Sequence, residues 1–385
     1  MKTSDNRPAI RFTGCTDAWH HCQFNDIVIT HPTKQFIKEP SLDGTIEVIQ
    51  QGNEPVVGYA NGSPFEEYAS VTVFGDHTVS IYKPKKPFFV ATDGTKILSG
   101  NNIEGNFFYF LLERYKPIPE GYKRHFTILI EQECNFPKSD EQKHIAQYML
   151  YLDDLIERNK RKYEKLVNLK KAMLDKMFPK NGELVPEVRF AGFSSNWERW
   201  KLAHYLETSY DKNFAGVYSK QDVLSVSGDL GVVNQIEFHG RSFAGVSVMN
   251  YGIVQTGDIV YTKSPLRAQP FGIIKTNKGP AGIVSTLYAV YHPKAIVAPD
   301  FVQLYFEHDG RLNNYLQPLV NKGAKNDMKI SAENALQGLV CFPSLAEQRR
   351  IVHSFTALDI VISLHKQRLE ILRNLKKAFL EKMFV

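Results

Sequence analysis

Much of the chemistry a chain of this length could carry is absent from it. None of its 25 glycines is followed by another two residues later, so no Gly-rich dinucleotide loop is present. No G-K-[S/T] occurs, which removes the phosphate loop of ATP-binding folds. Pro-Pro never occurs among the 19 prolines, which excludes the Asn/Asp-Pro-Pro-aromatic motif of adenine methyltransferases. Four cysteines show no C-x-x-C spacing; Cys15, His20, His21 and Cys22 lie close together but lack a second ligand pair, so they read as reduced, partly buried thiols and not as a zinc site. Asp300, Glu307 and Asp309 could be taken for a nuclease carboxylate cluster, but the accompanying lysine is missing and 300–320 reads better as a surface helix. Twelve histidines are scattered without a Ser or Cys partner at an informative spacing. The expectation is a chain with no catalytic centre, no metal and no cofactor of its own. No apolar run approaches 18 residues and the first residues, MKTSDNRPAIRF, lack an apolar core, so neither a membrane span nor a signal peptide is expected, and the location expected is cytoplasmic.

What is present is ordinary for a globular protein: 385 residues, 43% hydrophobic and 23% charged, enough for two or three domains with cores of their own. The net charge of +6 is unevenly placed. Segments 139–178 and 345–384 together hold 17 basic and 11 acidic residues, which leaves 30 of each sign elsewhere. Nucleic-acid binding by the remainder therefore has to come from local patches.

Those two segments are copies of each other. Residues 136–178 and 342–384 align without a gap at an offset of 206, with 20 of 43 positions identical. In the first, Ile145, Met149, Leu152, Ile156, Asn159, Tyr163, Leu166, Lys170, Met173 and Met177 alternate at spacings of four and three. In the second, Ile351, Phe355, Leu358, Ile362, His365, Leu369, Leu372, Lys376, Phe379 and Met383 do the same. This is the 3.5-residue period of a coiled-coil seam. Ser139-x-x-Gln142 and Ser344-x-x-Glu347 read as capping-box starts. No proline or glycine interrupts either copy, so each should be a rod of about 60 Å. Both seams carry polar breaks, Asn159 and Lys170 in one and His365 and Lys376 in the other. They are either a solvated edge where the seam splays or, for Asn159 and His365, a pair that fixes register.

A second repeat precedes each intervening segment: Pro8-Ala-Ile-Arg-Phe-Thr-Gly14 with Trp19 matches Pro186-Glu-Val-Arg-Phe-Ala-Gly192 with Trp197. The chain thus divides into 1–135, 136–180, 181–341 and 342–385: domain, rod, domain, rod. In the first domain, 71–74, 79–82, 88–91 and 126–130 read as strands and 105–115 as a helix. In the second, 259–261, 271–274, 282–291 and 339–342 read as strands and 300–320 as helical up to Pro318. Two α/β domains of one plan, diverged in their loops, is the economical reading.

The loops carry residue types that DNA reading needs. Lys and Arg neutralise phosphates, Arg clasps guanine, and Asn or Gln clasps adenine. The candidates are Lys83, Lys85, Lys86, Lys123 and Arg124 in the first domain, and Lys263, Arg267, Gln269, Asn321, Lys322, Lys325 and Asn326 in the second. Each of these can equally be a solvated loop residue.

Taken together, the lead-in motifs, the doubled rod with FP…EQ…I and NLKKA-x-L-x-KMF, and the Gly75-Asp76 and Gly257-Asp258 turns resemble the specificity subunit of type I restriction-modification systems. The resemblance covers nearly the whole chain. It implies an α+β architecture: two α/β target-recognition domains joined by two long helices in an antiparallel coiled coil, with an approximate internal two-fold. It implies that each domain reads one half of a bipartite, asymmetric target, with the rods as a ruler. It implies double-stranded DNA, two methyltransferase subunits and, through them, restriction subunits as partners. S-adenosylmethionine and ATP with Mg would belong to those partners. The specificity chain of a related two-subunit restriction-methylation enzyme fits the same pattern. A coiled-coil scaffold without DNA reading would explain the rods but not the strand-rich domains with basic loops.

Overall fold

A computed structural model describes residues 7–121, 123–180, 182–263, 269–322 and 328–384. It divides into two compact units, Met1–Lys162 with His365–Val385, and Tyr163–Leu364. The division falls within two long helices, Ser139–Lys176 and Leu345–Met383, which occupy the expected rod segments.

In the first unit, the strands Val28–His31, Thr95–Gly100, Val71–Gly75 and Ile81–Tyr82 form an antiparallel sheet in that order. A smaller sheet sets Ile46–Ile49 between Val56–Ala60 and Phe88–Val90. The helix Gly105–Tyr115 lies where the sequence places it, started by the Glu104 carboxylate, which accepts from the Phe107 N–H at 2.7 Å. Its face of Phe107, Phe108, Phe110, Leu111 and Leu112 is fully buried and packs with Trp19, Phe24 and Phe74. Ile145, Met149 and Leu152 of the central helix and Met383 and Phe384 of the C-terminal helix complete that core.

The second unit repeats the plan. Leu206–Thr208, Tyr288–Pro293, Ile259–Thr262 and Ile274–Thr276 form an antiparallel sheet with the same order of connection. Its core gathers Trp197, Phe301, Tyr305 and Phe342 with Leu174, Met177 and Phe178 of the central helix and Ile351 and Phe355 of the C-terminal helix.

Matching residues make matching contacts in the two units. The Ile10 N–H donates to the Lys382 carbonyl and the Val188 N–H to the Lys176 carbonyl, so each lead-in segment closes the last turn of a long helix. Trp19 meets Phe384 edge-on at 6.2 Å; Trp197 meets Phe178 at 5.9 Å. Arg11 grips Glu141 through two hydrogen bonds, and Arg189 grips Glu347 likewise. The Gln142 and Gln348 amides donate to the carbonyls of Pro137 and Pro343. These contacts replace the expected capping boxes: Gln142 and the Glu347 carboxylate are engaged with other segments, and only the Glu347 N–H turns to the Ser344 hydroxyl, at 3.5 Å.

The structure corrects several local readings. Residues 126–130, expected as a strand, lie in the helix His125–Ile130, because Asp76 supplies acceptors at its start: its carbonyl takes the His125 N–H and its carboxylate the Phe126 N–H. The strand expected over 79–82 shrinks to Ile81–Tyr82, since Val79 turns with φ 57°. The expected strand 271–274 begins only at Ile274, after Gly272 turns with φ 88°. Segment 282–291 breaks into Gly282–Val284 and Tyr288–Pro293, which join different sheets. The single helix expected over 300–320 is two, Pro299–Tyr305 and Asp309–Leu316, because the His308 ring caps a new start by accepting the Arg311 N–H. The chain continues through a short turn of helix, Gln317–Leu319.

Candidate nucleic-acid interface

The helices carry the polar breaks in defined pairs. In the first unit Asn159, 5% exposed, donates through its amide nitrogen to the His365 carbonyl at 2.9 Å. Its amide oxygen therefore faces the His365 ring and accepts from Nδ1–H, which fixes the imidazole tautomer. Lys376 sits between Asp153 and Glu113 at 2.8 and 3.0 Å. In the second unit Lys170 sits between Glu307 and Asp359 at 2.6 and 2.7 Å. Burial pulls both ammonium groups down, and the paired carboxylates outweigh it, leaving both above the ordinary lysine value. Leu152, Asn159 and Leu372 are buried; Ile156, Leu166, Leu358, Ile362 and His365 are half-buried. Within the first unit Tyr148 meets Phe379 and Asp153 meets Lys376; within the second, Lys170 meets Asp359 and Phe178 meets Phe355. In each unit one helix rises in number as the other falls.

The loop candidates separate into distinct situations. The Lys83 ammonium donates to the carbonyls of Ala69, Val71 and Gly105, and burial lowers its pKa to about 8. It ties the sheet to the helix Gly105–Tyr115. Lys86 pairs with Glu47 at 3.1 Å and Lys123 with Glu120 at 2.8 Å. Lys85 and Arg124 are exposed, with no side-chain hydrogen bond or ion pair among the described residues. In the second unit Lys263 is half-buried; desolvation, then the nearby charge of Lys212, lowers its pKa. Gln269 donates to Asp309 at 2.9 Å and lines a cleft of about 740 Å³ together with Lys275, Lys278 and Gln303. Asn321 and Lys322 form one strand of a two-stranded hairpin with Met328–Lys329. Arg267, Lys325 and Asn326 lie outside the described residues.

One cluster was not among the sequence candidates. The five-residue helix Gln235–His239 ends at Gly240, whose φ of 74° turns the chain into an exposed loop. The Gln235 side-chain oxygen accepts from the Ser242 hydroxyl and the Phe243 N–H, holding that loop in place. On it, the His239 ring lies 4.5 Å from Phe238 and 5.2 Å from Phe243, and the Arg241 guanidinium stands over Phe243 at 4.8 Å. Phe238 and Phe243 are 45% and 55% exposed. Arg241 makes no hydrogen bond or ion pair among the described residues. The signal in the sequence is F-H-G-R-S-F, aromatic rings and a cation around a turn-forming glycine.

No protein-family model matches this chain, and no curated protein matches it in sequence. Among solved structures, the S subunit of a type I restriction-modification system from M. genitalium superposes with a TM-score of 0.63 at 14% identity, covering 98% of this chain and 99% of that one. The chain has the fold of a type I S subunit. The HsdS subunit from Thermoanaerobacter tengcongensis matches at a TM-score of 0.44 and 14% identity over 96% of this chain and 97% of that one. A chain from a study of assembly and conformational transition of the type I restriction-modification system matches at 0.48 and 12% over 97% and 99%. Both scores fall below the level that argues for a shared fold. The S-subunit fold accounts for the mixed helix and sheet architecture and for the two long helices in their places. No described helix is long and apolar enough to cross a membrane.

Proposed function

We propose that this chain is the DNA specificity subunit of a type I restriction-modification complex. Each sheet-bearing segment reads one half of a bipartite, asymmetric target, and the two long helices, paired as an antiparallel coiled coil, set the distance between the halves. The observation that carries this reading is the doubled mounting: Arg11–Glu141 with Trp19–Phe384, and Arg189–Glu347 with Trp197–Phe178. Two readers held by the same set of contacts and differing in their loops are what an asymmetric two-part target requires. The S-subunit fold supports the same reading. A rod of 38 or 39 residues is about 57 to 59 Å long, enough to hold readers one DNA turn, roughly 34–36 Å, apart.

Adenine methylation and ATP-driven cutting would reside in methyltransferase and restriction subunits that bind S-adenosylmethionine and ATP, and this chain would supply no catalytic group. Each unit exposes aliphatic side chains on its stretch of the C-terminal helix, Ile371 and Leu375 in the first and Ile360 and Leu364 in the second. Such side chains on a helix surface suit docking of a partner subunit.

The test is a map of N6-methyladenine in a host expressing the chain with its methyltransferase, compared with a host lacking the chain. A gapped, asymmetric motif that depends on the chain is the expected result. An unchanged map in a demonstrably active pair would sink the reading and favour a protein-binding scaffold.

A further inference from the structure

Cys22 and Cys134 lie directly opposite each other in the antiparallel pair His20–Gln23 with Glu133–Phe136. Their sulfur atoms are 4.0 Å apart. Residues opposite each other in such a ladder have Cα atoms roughly 4.5 to 5.5 Å apart, inside the window of about 4.4 to 6.8 Å that a disulfide spans. Bond formation needs the sulfurs to approach to about 2.05 Å, which side-chain rotation provides without separating the strands. Cys22 is half-buried, whereas Cys134 is fully buried, which makes Cys22 the more accessible of the two. Burial raises both thiols above the ordinary value, so the pair rests as two thiols.

We propose that Cys22 and Cys134 are a redox modification site that closes to a disulfide by exchange with a low-molecular-weight disulfide. The Cys22 thiolate attacks one sulfur of the small disulfide, forming a mixed disulfide and releasing one small thiolate. Cys134 then loses its proton and attacks Cys22 Sγ, expelling the second small thiolate. Each cysteine loses one hydrogen, and the small disulfide is reduced by two electrons to two thiols, which take up the two protons.

The bond would staple the strand that follows Trp19 to the strand that leads into the central helix. It would close a loop spanning 112 positions that contains both larger sheets of the first unit. The second unit has no counterpart: the matching ladder position pairs Trp200 with Val340, and Cys341 stands opposite Arg199. The staple is thus confined to one of the two units.

The test uses the purified full-length chain treated with oxidised glutathione and digested without reduction. The expected result is a peptide containing Cys22 joined to one containing Cys134, released by dithiothreitol. Loss of chain entropy in the unfolded state should raise the melting temperature of the oxidised protein by several degrees. Cys22→Ser should abolish both changes while melting like the reduced protein. If the variant fails to fold, differential alkylation of the wild-type protein before and after oxidation reads the pair directly, with joint protection of Cys22 and Cys134 expected. A mixed disulfide that persists on Cys22, a bond to Cys15 or Cys341, or an oxidised protein that melts no higher would overturn the proposal.

Discussion

Asn159 and His365 occupy the same position in the two copies of the helical repeat, 206 residues apart, and are hydrogen-bonded to each other. Lys376 with Asp153 in the first unit and Lys170 with Asp359 in the second are the same pair of repeat positions, each formed within its own unit. Within the first unit the amide–imidazole contact ties the two helices at one level, and a slip of one heptad would leave both groups unpaired.

Replacing Asn159 by Ala should cost about 1–3 kcal/mol, because the His365 ring N–H and carbonyl lose their partner in a covered seam. Leucine at both positions should recover most of that loss, since an apolar pair fits the seam, at the expense of unique register. Urea unfolding of the single and double variants checks the first statement. A double variant as unstable as the single one would show that the pair is not what the seam accommodates.

If the segments are separate readers, exchanging residues 20–135 for the corresponding segment of a type I S subunit should change one half of the methylated motif and leave the other half and the gap intact. Sequencing the methylated sites of the chimera is the measurement. A change in both halves, or in neither, contradicts the two-reader assignment.

Lys83 and Arg124 should behave in opposite ways. Lys83→Ala removes the donor for three backbone carbonyls and should lower stability by about 1–3 kcal/mol. Arg124→Ala removes an exposed side chain without partners among the described residues; it should leave unfolding within about 0.5 kcal/mol of wild type and weaken DNA binding. Paired unfolding and salt-dependent binding curves separate the two, and the reverse pattern would reassign them.

The loop bearing Phe238, Arg241 and Phe243 should contact DNA through a cation and a stacking ring. Arg241→Ala and Phe243→Ala should each weaken binding by about tenfold, in line with the roughly 1–3 kcal/mol a stacked base or base contact carries. Circular dichroism should show unchanged folding, because both side chains are exposed. Full affinity in both variants would place the interface elsewhere.

His292 should make stability depend on pH. Burial lowers its pKa, but the hydrogen bond and charge of Asp258 at 2.7 Å, with Asp211 at 3.7 Å, outweigh it and raise the group above 6.5. A raised folded value means that the imidazolium contributes its stability fully below the unfolded value and loses it as pH rises through the folded one. Urea midpoints should therefore fall from about pH 6 toward pH 9 in the wild type. In His292→Gln, which keeps a donor to Asp258, that slope should flatten.

The sequence alone determined the long helices, their seams and the doubling of the chain. Periodicity and repetition are written in residue order, and 4-3 spacing needs no knowledge of what lies nearby. It also placed the helix Gly105–Tyr115 and the strand Leu339–Phe342. Tertiary structure decided the rest. Residues 126–130 have strand composition and form a helix because Asp76, about fifty positions earlier in the chain, caps it. Lys83 belongs with the loop cations by composition and is bound into the fold because three carbonyls converge on it. Asn159 and His365 are polar breaks in two separate patterns, and only the pairing of the helices makes them one contact. Local propensity and spacing act along the chain, whereas capping partners, ion pairs and register are set by residues that only folding brings together.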